Sequence, residues 1–249
     1  QNTYGIEIST SRVKEAVQVL QGHFVSKEAE YQKYCQIDIL ENDPAGMIKR
    51  LQSYTERLTH IPFYTQVEDI IIVGIARYKE KYLPGIKSED PFVLYEKYSR
   101  RDVSLLMNCG KDLSSIMYGM KRIENDVFIF ITYHKEESQD EKNYVDGKPD
   151  YADAFEDNLI FKWDSQIGKG LDSSYMKDVL GADRKHLFVK KSDAETSFYY
   201  MGQFDVLEAR NAQKEDNRGR MQPITKVTMK MHHAVREDLL RYLQSHITA

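Results

Sequence analysis

A concentration of aromatic residues in one segment is the feature of this sequence that best suggests chemistry. Half of the aromatic residues lie in the third of the chain between Tyr118 and Tyr200. Several of these rings fall where predicted strands give way to loops. The candidate pocket residues are Tyr118, Tyr133, Tyr151, Asp153, Phe155, Trp163 and Ser165. Such rings can stack on a flat ligand such as a flipped nucleobase, while Asp153 accepts a hydrogen bond from an exocyclic amine. The alternative is that they are ordinary core and edge aromatics.

Basic side chains near the same strand ends are a second candidate feature. They are Lys162, Lys169, Arg184, Lys185, Lys190, Lys191, Arg218 and Arg220. Contacts from such residues to phosphates would position a nucleic-acid duplex without reading its sequence. The alternative is a set of ordinary solvated strand ends.

One pattern favours catalysis instead of binding. Pro149-Asp150, followed after 32 residues by Asp183-Arg184-Lys185, fits the loose PD...(D/E)xK pattern of metal-dependent nucleases. In that chemistry two carboxylates hold a divalent cation and a lysine lies near the attacking water. Because Asp183 and Lys185 lie in a turn rather than within a predicted strand, we keep this only as an alternative. We assign no catalytic residue, metal or cofactor to this chain.

The second half of the chain carries the elements that must position these residues. Alternating and apolar runs predict five strands, at residues 127–131, 159–164, 186–190, 197–204 and 227–232. Five strands joined by irregular loops favour a small barrel or a strongly curved sheet. An amphipathic helix from about Val235 to Leu243 closes the chain. Polar residues 136–149 and 209–222 are predicted to be surface loops.

Helical signals dominate the first part of the chain. Asp43-Pro44 is an N-cap followed by proline at the first helical position, and the apolar stripe that follows runs until Pro62. A second stripe from Val67 to Tyr82 ends at Pro84-Gly85. We therefore predict an α+β protein, with a helical bundle as a connector domain over residues 1–97 and a curved β-barrel over residues 98–249.

Composition limits the classes of function. The longest apolar run, Ile70 to Ala76, is too short to cross a bilayer, so we expect no membrane partner. A net charge of -4 and a pI near 6.0 give no global basic field, so a nucleic-acid surface must be local. Two cysteines without a CxxC pair indicate a reducing cytoplasm. Because the chain begins at Gln1, we expect it to be a piece of a longer protein.

Seven short blocks of the second half occur in the order and spacing of a bacterial family. They are Tyr98-Ser99-Arg100-Arg101-Asp102-Val103, Tyr118-Gly119, Ile131-Thr132-Tyr133-His134-Lys135, Phe161-Lys162-Trp163-Asp164-Ser165, Leu171-Asp172-Ser173, Leu187-Phe188-Val189-Lys190-Lys191-Ser192-Asp193 and Phe198-Tyr199-Tyr200-Met201-Gly202. Over these blocks the chain resembles the target-recognition region of SauUSI-type, modification-dependent (type IV) restriction enzymes. In that family the region follows a phospholipase-D-like nuclease and a superfamily II helicase in one polypeptide.

The resemblance implies a function and a setting. Residues 98–249 would form an SRA-like or PUA-like domain that recognises 5-methylcytosine or 5-hydroxymethylcytosine in double-stranded DNA by base flipping into an aromatic pocket. The partners would be that DNA and the helicase and nuclease modules of a bacterial cytoplasmic protein, which would use ATP and a divalent metal ion. Two other hypotheses stay open, a metal-dependent nuclease using Asp150, Asp183 and Lys185, and a protein-interaction domain without DNA contact.

Overall fold

The chain divides into two units, each assembled from segments that are separate in sequence. One unit comprises Gln1–Gly85 and Arg101–Leu113, and the other Ile86–Arg100 and Ser114–Ala249. The computed structural model describes residues 9–25, 38–42, 47–82, 91–134, 144–145, 148–149, 153–216 and 218–245. The domain boundary at residue 97 stays a prediction.

The first unit is mainly helical. Its elements are α1 (Thr10–Leu20), β1 (Leu40–Asn42), β2 (Ile48–Arg50), α2 (Gln52–Leu58), α3 (Ile61–Tyr82) and most of α4 (Arg100–Leu106). The Ser9 hydroxyl caps α1 by accepting the main-chain NH of Arg12. Strands β1 and β2 pair antiparallel. Phe24 and Val103 are the buried apolar side chains of this unit among its described residues.

The prediction of a purely helical bundle for residues 1–97 needs correction. Ile48–Arg50 is a strand, although the sequence places it inside a helical stripe that follows Asp43-Pro44, a pair outside the described residues. In α3, Ile70, Ile71 and Ile75 are exposed. The described part of the unit therefore does not show the buried apolar seam that a bundle requires.

No helix in the described ranges is both long and apolar enough to cross a membrane.

The second unit is built on a large mixed sheet. Its strands are β3 (Lys97–Tyr98), β4 (Met120–Ile123), β5 (Asp126–His134), β8 (Ala154–Phe155), β9 (Ile160–Asp164), β10 (Arg184–Ser192), β11 (Phe198–Glu215) and β12 (Met221–Met231). A separate hairpin pairs β6 (Tyr144–Val145) with β7 (Lys148–Pro149). The strand order is β4-β5-β10-β11-β12-β9-β8, with β3 also on β11. The β5–β10 pair is parallel and the others are antiparallel. The α+β class and all five predicted strands are confirmed.

The predicted barrel is not closed. Along its first part β11 pairs with β10, and from Phe204 onward it pairs with β12, so it joins two halves of a sheet in series. Among the described residues the end strands β4 and β8 do not pair with each other. The predicted loop at residues 209–222 is also wrong, because residues 209–215 continue β11 and residues 221–222 begin β12. The polar residues of this part of β11 pair with β12 through main-chain hydrogen bonds. Such bonds form without an alternating apolar face, so the sequence pattern did not predict the strand.

The core of the second unit lies between the sheet and two helices. Helix α5 (Ser174–Leu180) buries Met176 and Val179, and helix α6 (Glu237–Gln244) buries Leu239 and Leu243. The position of α6 confirms the predicted C-terminal helix. It is fastened to the sheet because the His134 ring lies within hydrogen-bond distance of the Leu243 carbonyl oxygen, at 2.7 Å.

Candidate nucleobase-binding site

A polar site lies where strand β9 ends. Phe161 and Trp163 of this strand are buried, whereas Lys162 between them is exposed and Asp164 is partly buried. Strand β12 fixes the register by placing Val227 opposite Trp163 and Lys226 opposite Asp164. We call the group formed by Asp153, Trp163, Asp164, Tyr175 and Lys226 the β9-end site.

Asp153 is held in this site by the main chain of β9. Its side chain is buried, and its Oδ1 atom accepts the main-chain NH of Asp164 at 2.9 Å. Burial raises the pKa of Asp164, although the Lys226 ammonium at 3.0 Å acts in the opposite direction, and the Asp153 charge adds to the rise. Two carboxylates and one ammonium therefore share the end of the strand.

Tyr175 brings a hydroxyl group to the same place. It belongs to α5, which begins where the Ser173 hydroxyl accepts the Met176 NH. The ring centroids of Tyr175 and Trp163 lie 6.3 Å apart. The Tyr175 oxygen is enclosed and has no hydrogen-bond partner among the described residues. Burial raises the pKa of this phenol, and the negative charge of Asp153 raises it further, so the hydroxyl keeps its proton.

Gly119 lies in front of this hydroxyl and puts no side chain into the space there. Its φ of +72° lies in the left-handed region, which glycine adopts without strain. A Cβ atom at this position would lie 2.5 Å from the Gln166 Nε2 atom and 3.4 Å from the Tyr175 hydroxyl oxygen. The Gln166 amide group occupies that space and donates to the main-chain oxygen of Tyr118 at 3.2 Å.

The predicted pocket residues are only partly brought together. Asp153 and Trp163 meet at the β9-end site, and Tyr118 contributes its main chain nearby while its ring is 66% exposed. The rings of Tyr133, Phe155 and Trp163 all belong to the hydrophobic core, with 3–5% of their surface exposed. Tyr151 lies outside the described residues. The predicted slot with open aromatic walls is therefore not formed by the residues that the structure describes.

Ser165 is a structural residue of the site. Its hydroxyl donates to the Lys169 carbonyl oxygen at 2.6 Å and accepts the Thr225 NH at 2.8 Å. Its own NH donates to the Thr225 carbonyl oxygen. These bonds join the end of β9 to β12 and to the loop that follows, so Ser165 holds the end of β9 in place.

The predicted basic residues on β10 do not form one rim. Arg184 starts this strand, and Lys190 and Lys191 lie near its end, about 20 Å away at the usual rise per residue. Arg184 makes two hydrogen bonds of 2.7 and 2.6 Å to Asp126. The buried Lys190 donates to the Glu195 carbonyl oxygen, and Lys191 donates to the Ser245 hydroxyl. These cations are used within the fold.

The other predicted cations are also dispersed. Lys185 donates to the Ala182 carbonyl oxygen at the start of β10, and the Lys169 ammonium lies 6.0 Å from the Tyr175 ring centroid. Arg218 and Arg220 lie at the tip of the β11–β12 hairpin. There the Asp216 carboxylate accepts both main-chain NH groups and the Arg220 guanidinium, and these bonds, led by the Arg220 NH, lower the pKa of Asp216 to about 2.

The structure adds two cations that the sequence analysis missed. Arg210 and Lys226 are cross-strand neighbours on β11 and β12. Together with Lys162 they line a cleft of about 260 Å³ that also borders Trp163, Asp164 and Glu208. Each of the three cations pairs with a carboxylate of the fold, those of Glu156, Glu208 and Asp164. The sequence analysis predicts a loop over residues 209–222, whereas residues 209–215 continue β11 and so place Arg210 beside β12.

The structure corrects one point about the nuclease alternative, because Lys185 lies within β10, which begins at Arg184, and not in a turn. Asp150 lies outside the described residues. The Lys185 ammonium is hydrogen-bonded to the Ala182 carbonyl oxygen at 2.6 Å. Within the described ranges, no three His, Cys, Asp or Glu side chains are grouped so that they could hold a metal ion.

The second part of the chain matches a known protein family. Residues 92–243 match the family described as "Domain of unknown function (DUF3427)". Because this match covers more than half of the chain, the chain belongs to that family. No curated protein matches it.

Solved structures give weak similarities. The crystal structure of KRYPTONITE in complex with mCHG DNA and SAH is 11% identical, with a TM-score of 0.36, and the match covers 67% of this chain and 38% of that one. Arabidopsis thaliana SUVH6 in complex with SAM is 12% identical, with a TM-score of 0.37 and coverage of 95% and 42%. The sulfur binding domain and SRA domain of ScoMcrA complexed with phosphorothioated DNA is 10% identical, with a TM-score of 0.31 and coverage of 62% and 45%. The matches span less than half of each of these structures, and TM-scores below 0.5 do not establish a shared fold.

Proposed function

We propose that this chain is a DNA-binding module that recognises 5-methylcytosine or 5-hydroxymethylcytosine in duplex DNA, with the base held at the β9-end site. The observation that carries the proposal is the Asp153 carboxylate, fixed by the Asp164 NH next to the Trp163 and Tyr175 rings. The ordered sequence blocks from Tyr98 to Gly202 support the same function by resemblance.

A fixed carboxylate suits cytosine because it only accepts hydrogen bonds. Cytosine presents an amine at its 4-position, whereas thymine presents a carbonyl oxygen there. Asp153 would accept from the amine of cytosine and repel the carbonyl of thymine. This chemistry makes Asp153 the residue that selects the base.

We propose that the base leaves its duplex to reach these buried rings. Extruding a paired base costs a few kcal/mol. Stacking on an aromatic ring returns roughly 1–3 kcal/mol, and burying a methyl group adds about 0.8 kcal/mol. Because Trp163 is 3% exposed, a base can stack on it only after neighbouring side chains move. The proposal is base flipping into a site that opens on binding.

The cations that line the cleft would bind the DNA backbone. Lys162, Arg210 and Lys226 lie beside Trp163 on one surface of the sheet. Phosphate contacts from them would hold the duplex against the β9-end site without sequence preference. Lys162 belongs to the basic rim that the sequence predicts, whereas Arg210 and Lys226 do not.

The wider setting is also a proposal. By its resemblance the chain would serve an ATP-dependent type IV restriction endonuclease, with helicase and nuclease modules in the same polypeptide. ATP and a divalent metal ion would act in those modules, and this chain would bind DNA without a cofactor or catalysis.

The test is a binding titration with one duplex in three forms. A labelled duplex carrying a single central cytosine, 5-methylcytosine or 5-hydroxymethylcytosine is titrated with the full chain, and fluorescence anisotropy reports the Kd. Tighter binding of a modified form supports the proposal, and equal affinity for all three contradicts it. Incubation of the same duplexes with magnesium tests the nuclease alternative, which predicts cleavage that Asp183→Ala abolishes.

A further inference from the structure

Tyr175 carries a polar atom that the described fold does not use. Its hydroxyl oxygen is enclosed and has no hydrogen-bond partner among the described residues. A buried hydroxyl without a partner destabilises the folded state, whereas phenylalanine would fill the same space without that penalty. An unsatisfied group next to a proposed binding residue calls for a partner from outside the chain.

We propose that the Tyr175 hydroxyl donates a hydrogen bond to the 2-carbonyl oxygen of the bound pyrimidine, and that the Gln166 side chain covers this donor until the base enters. The inference rests on the proposed function and adds a second recognition residue to the same site.

The electrostatics of the site support a donor at this position. Burial raises the pKa of Tyr175, and the negative charge of Asp153 raises it further, so the hydroxyl stays protonated throughout the physiological pH range. Asp153 supplies an acceptor and Tyr175 a donor. Cytosine presents the complementary pair along one edge, an amine at position 4 and a carbonyl oxygen at position 2.

The ring geometry places this donor beside the proposed stacking wall. The Tyr175 and Trp163 ring centroids are 6.3 Å apart and their planes differ by 32°. The Lys169 ammonium lies 6.0 Å from the Tyr175 ring centroid. A base that reaches Trp163 therefore comes within reach of the Tyr175 side chain.

Gln166 lies where such a base would enter. Its side chain is exposed, and its Nε2 atom lies in the space that a Cβ atom on Gly119 would fill, in front of the Tyr175 hydroxyl. One hydrogen bond of 3.2 Å to the Tyr118 carbonyl oxygen holds it there. A flexible side chain held by one exposed hydrogen bond can rotate away at small cost. Gly119, having no side chain, leaves that movement unobstructed.

The test combines a protein variant with a base analogue. Wild-type chain and Tyr175→Phe are titrated with a duplex containing 5-methylcytosine and with the same duplex containing 2-thio-5-methylcytosine, in which a weakly accepting sulfur replaces the 2-oxygen. We expect the sulfur to weaken wild-type binding about tenfold, the effect of losing one hydrogen bond. Tyr175→Phe should bind the 5-methylcytosine duplex about tenfold more weakly than the wild type and should bind both duplexes equally.

Controls separate recognition from folding. Thermal melting should show Tyr175→Phe to be as stable as the wild type or more stable, because the unpaired hydroxyl is removed. Tyr242→Phe is the matched control, since its hydroxyl lies on α6 and bonds Glu195 at 3.1 Å, and its DNA affinity should not change. Gln166→Ala should bind the 5-methylcytosine duplex at least as tightly as the wild type.

The possible results distinguish the two proposals. Equal wild-type affinity for cytosine, 5-methylcytosine and 5-hydroxymethylcytosine overturns the proposed function and this inference with it. A wild type that prefers 5-methylcytosine but tolerates the sulfur substitution overturns the inference alone, whatever the stability of the variant. A tenfold loss in Gln166→Ala contradicts the covering role of Gln166.

Discussion

Replacing Asp153 by asparagine should change which base the site accepts. The two side chains have the same shape, so the asparagine oxygen can still accept the Asp164 NH that Asp153 accepts at 2.9 Å. The amide nitrogen then stands where the second carboxylate oxygen was, and it donates where that oxygen accepted. The asparagine amide nitrogen and the cytosine amine are both donors and cannot bond each other, whereas the 4-carbonyl oxygen of thymine can accept from the amide nitrogen.

The expected size of the effect follows from the charge of Asp153. A hydrogen bond to a charged group contributes about 1.5–3 kcal/mol. Losing it lowers affinity for a 5-methylcytosine duplex roughly 10- to 100-fold, at about 1.4 kcal/mol per tenfold change. The bond to the Asp164 NH is kept in the variant, so thermal melting of Asp153→Asn should show a folded protein.

Anisotropy titrations at one salt concentration measure this change. Three duplexes differ at a single position opposite guanine, which holds cytosine, 5-methylcytosine or thymine. The ratio of 5-methylcytosine to thymine affinity should collapse or invert in Asp153→Asn. Asp205→Asn is the matched control, because Asp205 is an exposed residue of β11 paired with His232. A folded Asp153→Asn variant that keeps the wild-type ratio would refute a recognition role for Asp153.

Three further predictions follow from other contacts. Trp163→Ala should lower the free energy of unfolding by about 3–5 kcal/mol in urea denaturation, because the ring is buried in the core; a change below about 1 kcal/mol would contradict that packing. Arg210→Ala should reduce the slope of log K against log salt by about 1 and weaken modified and unmodified DNA alike, whereas Arg241→Ala on α6 should leave both unchanged. Asp216 should titrate by NMR with a pKa of about 2, and this pKa should rise toward its ordinary value in Arg220→Ala. Because the pKa of Asp216 is lower in the folded state than in the unfolded state, the hairpin tip should lose this stabilisation as pH falls from about 4 toward 2.

The apolar patterning of the sequence was sufficient to place several elements. Phe161 and Trp163 alternate with polar neighbours, and the structure places them on the buried side of β9. The central strand β5 and the helix α6 lie where apolar patterning predicts them. These features depend on residues that are adjacent in the chain, so local periodicity is enough to reveal them.

Two segments, residues 48–50 and residues 209–215, show where the sequence pattern predicts the wrong local structure. Ile48 belongs to a stripe that also fits a helix, yet Ile48–Arg50 pairs with Leu40–Asn42 as a strand. Short apolar runs satisfy both periods, and pairing with a second segment decides between them. The ribbon of residues 209–215 with β12 was missed for a related reason, because its polar residues gain structure from main-chain pairing and not from a buried face.

The sequence by itself determined the residue types of the candidate site, with Asp153 and Trp163 among them, and the strand that carries Trp163. Only the tertiary structure decided that Trp163, Tyr133 and Phe155 are buried in the core and that Tyr175 lies beside Trp163. Burial depends on what packs against a strand, and here helix α5 follows β9 after a loop whereas strand β12 comes from a distant part of the chain. No pattern within one segment contains that information, because contacts between segments are set by the packing of the whole unit.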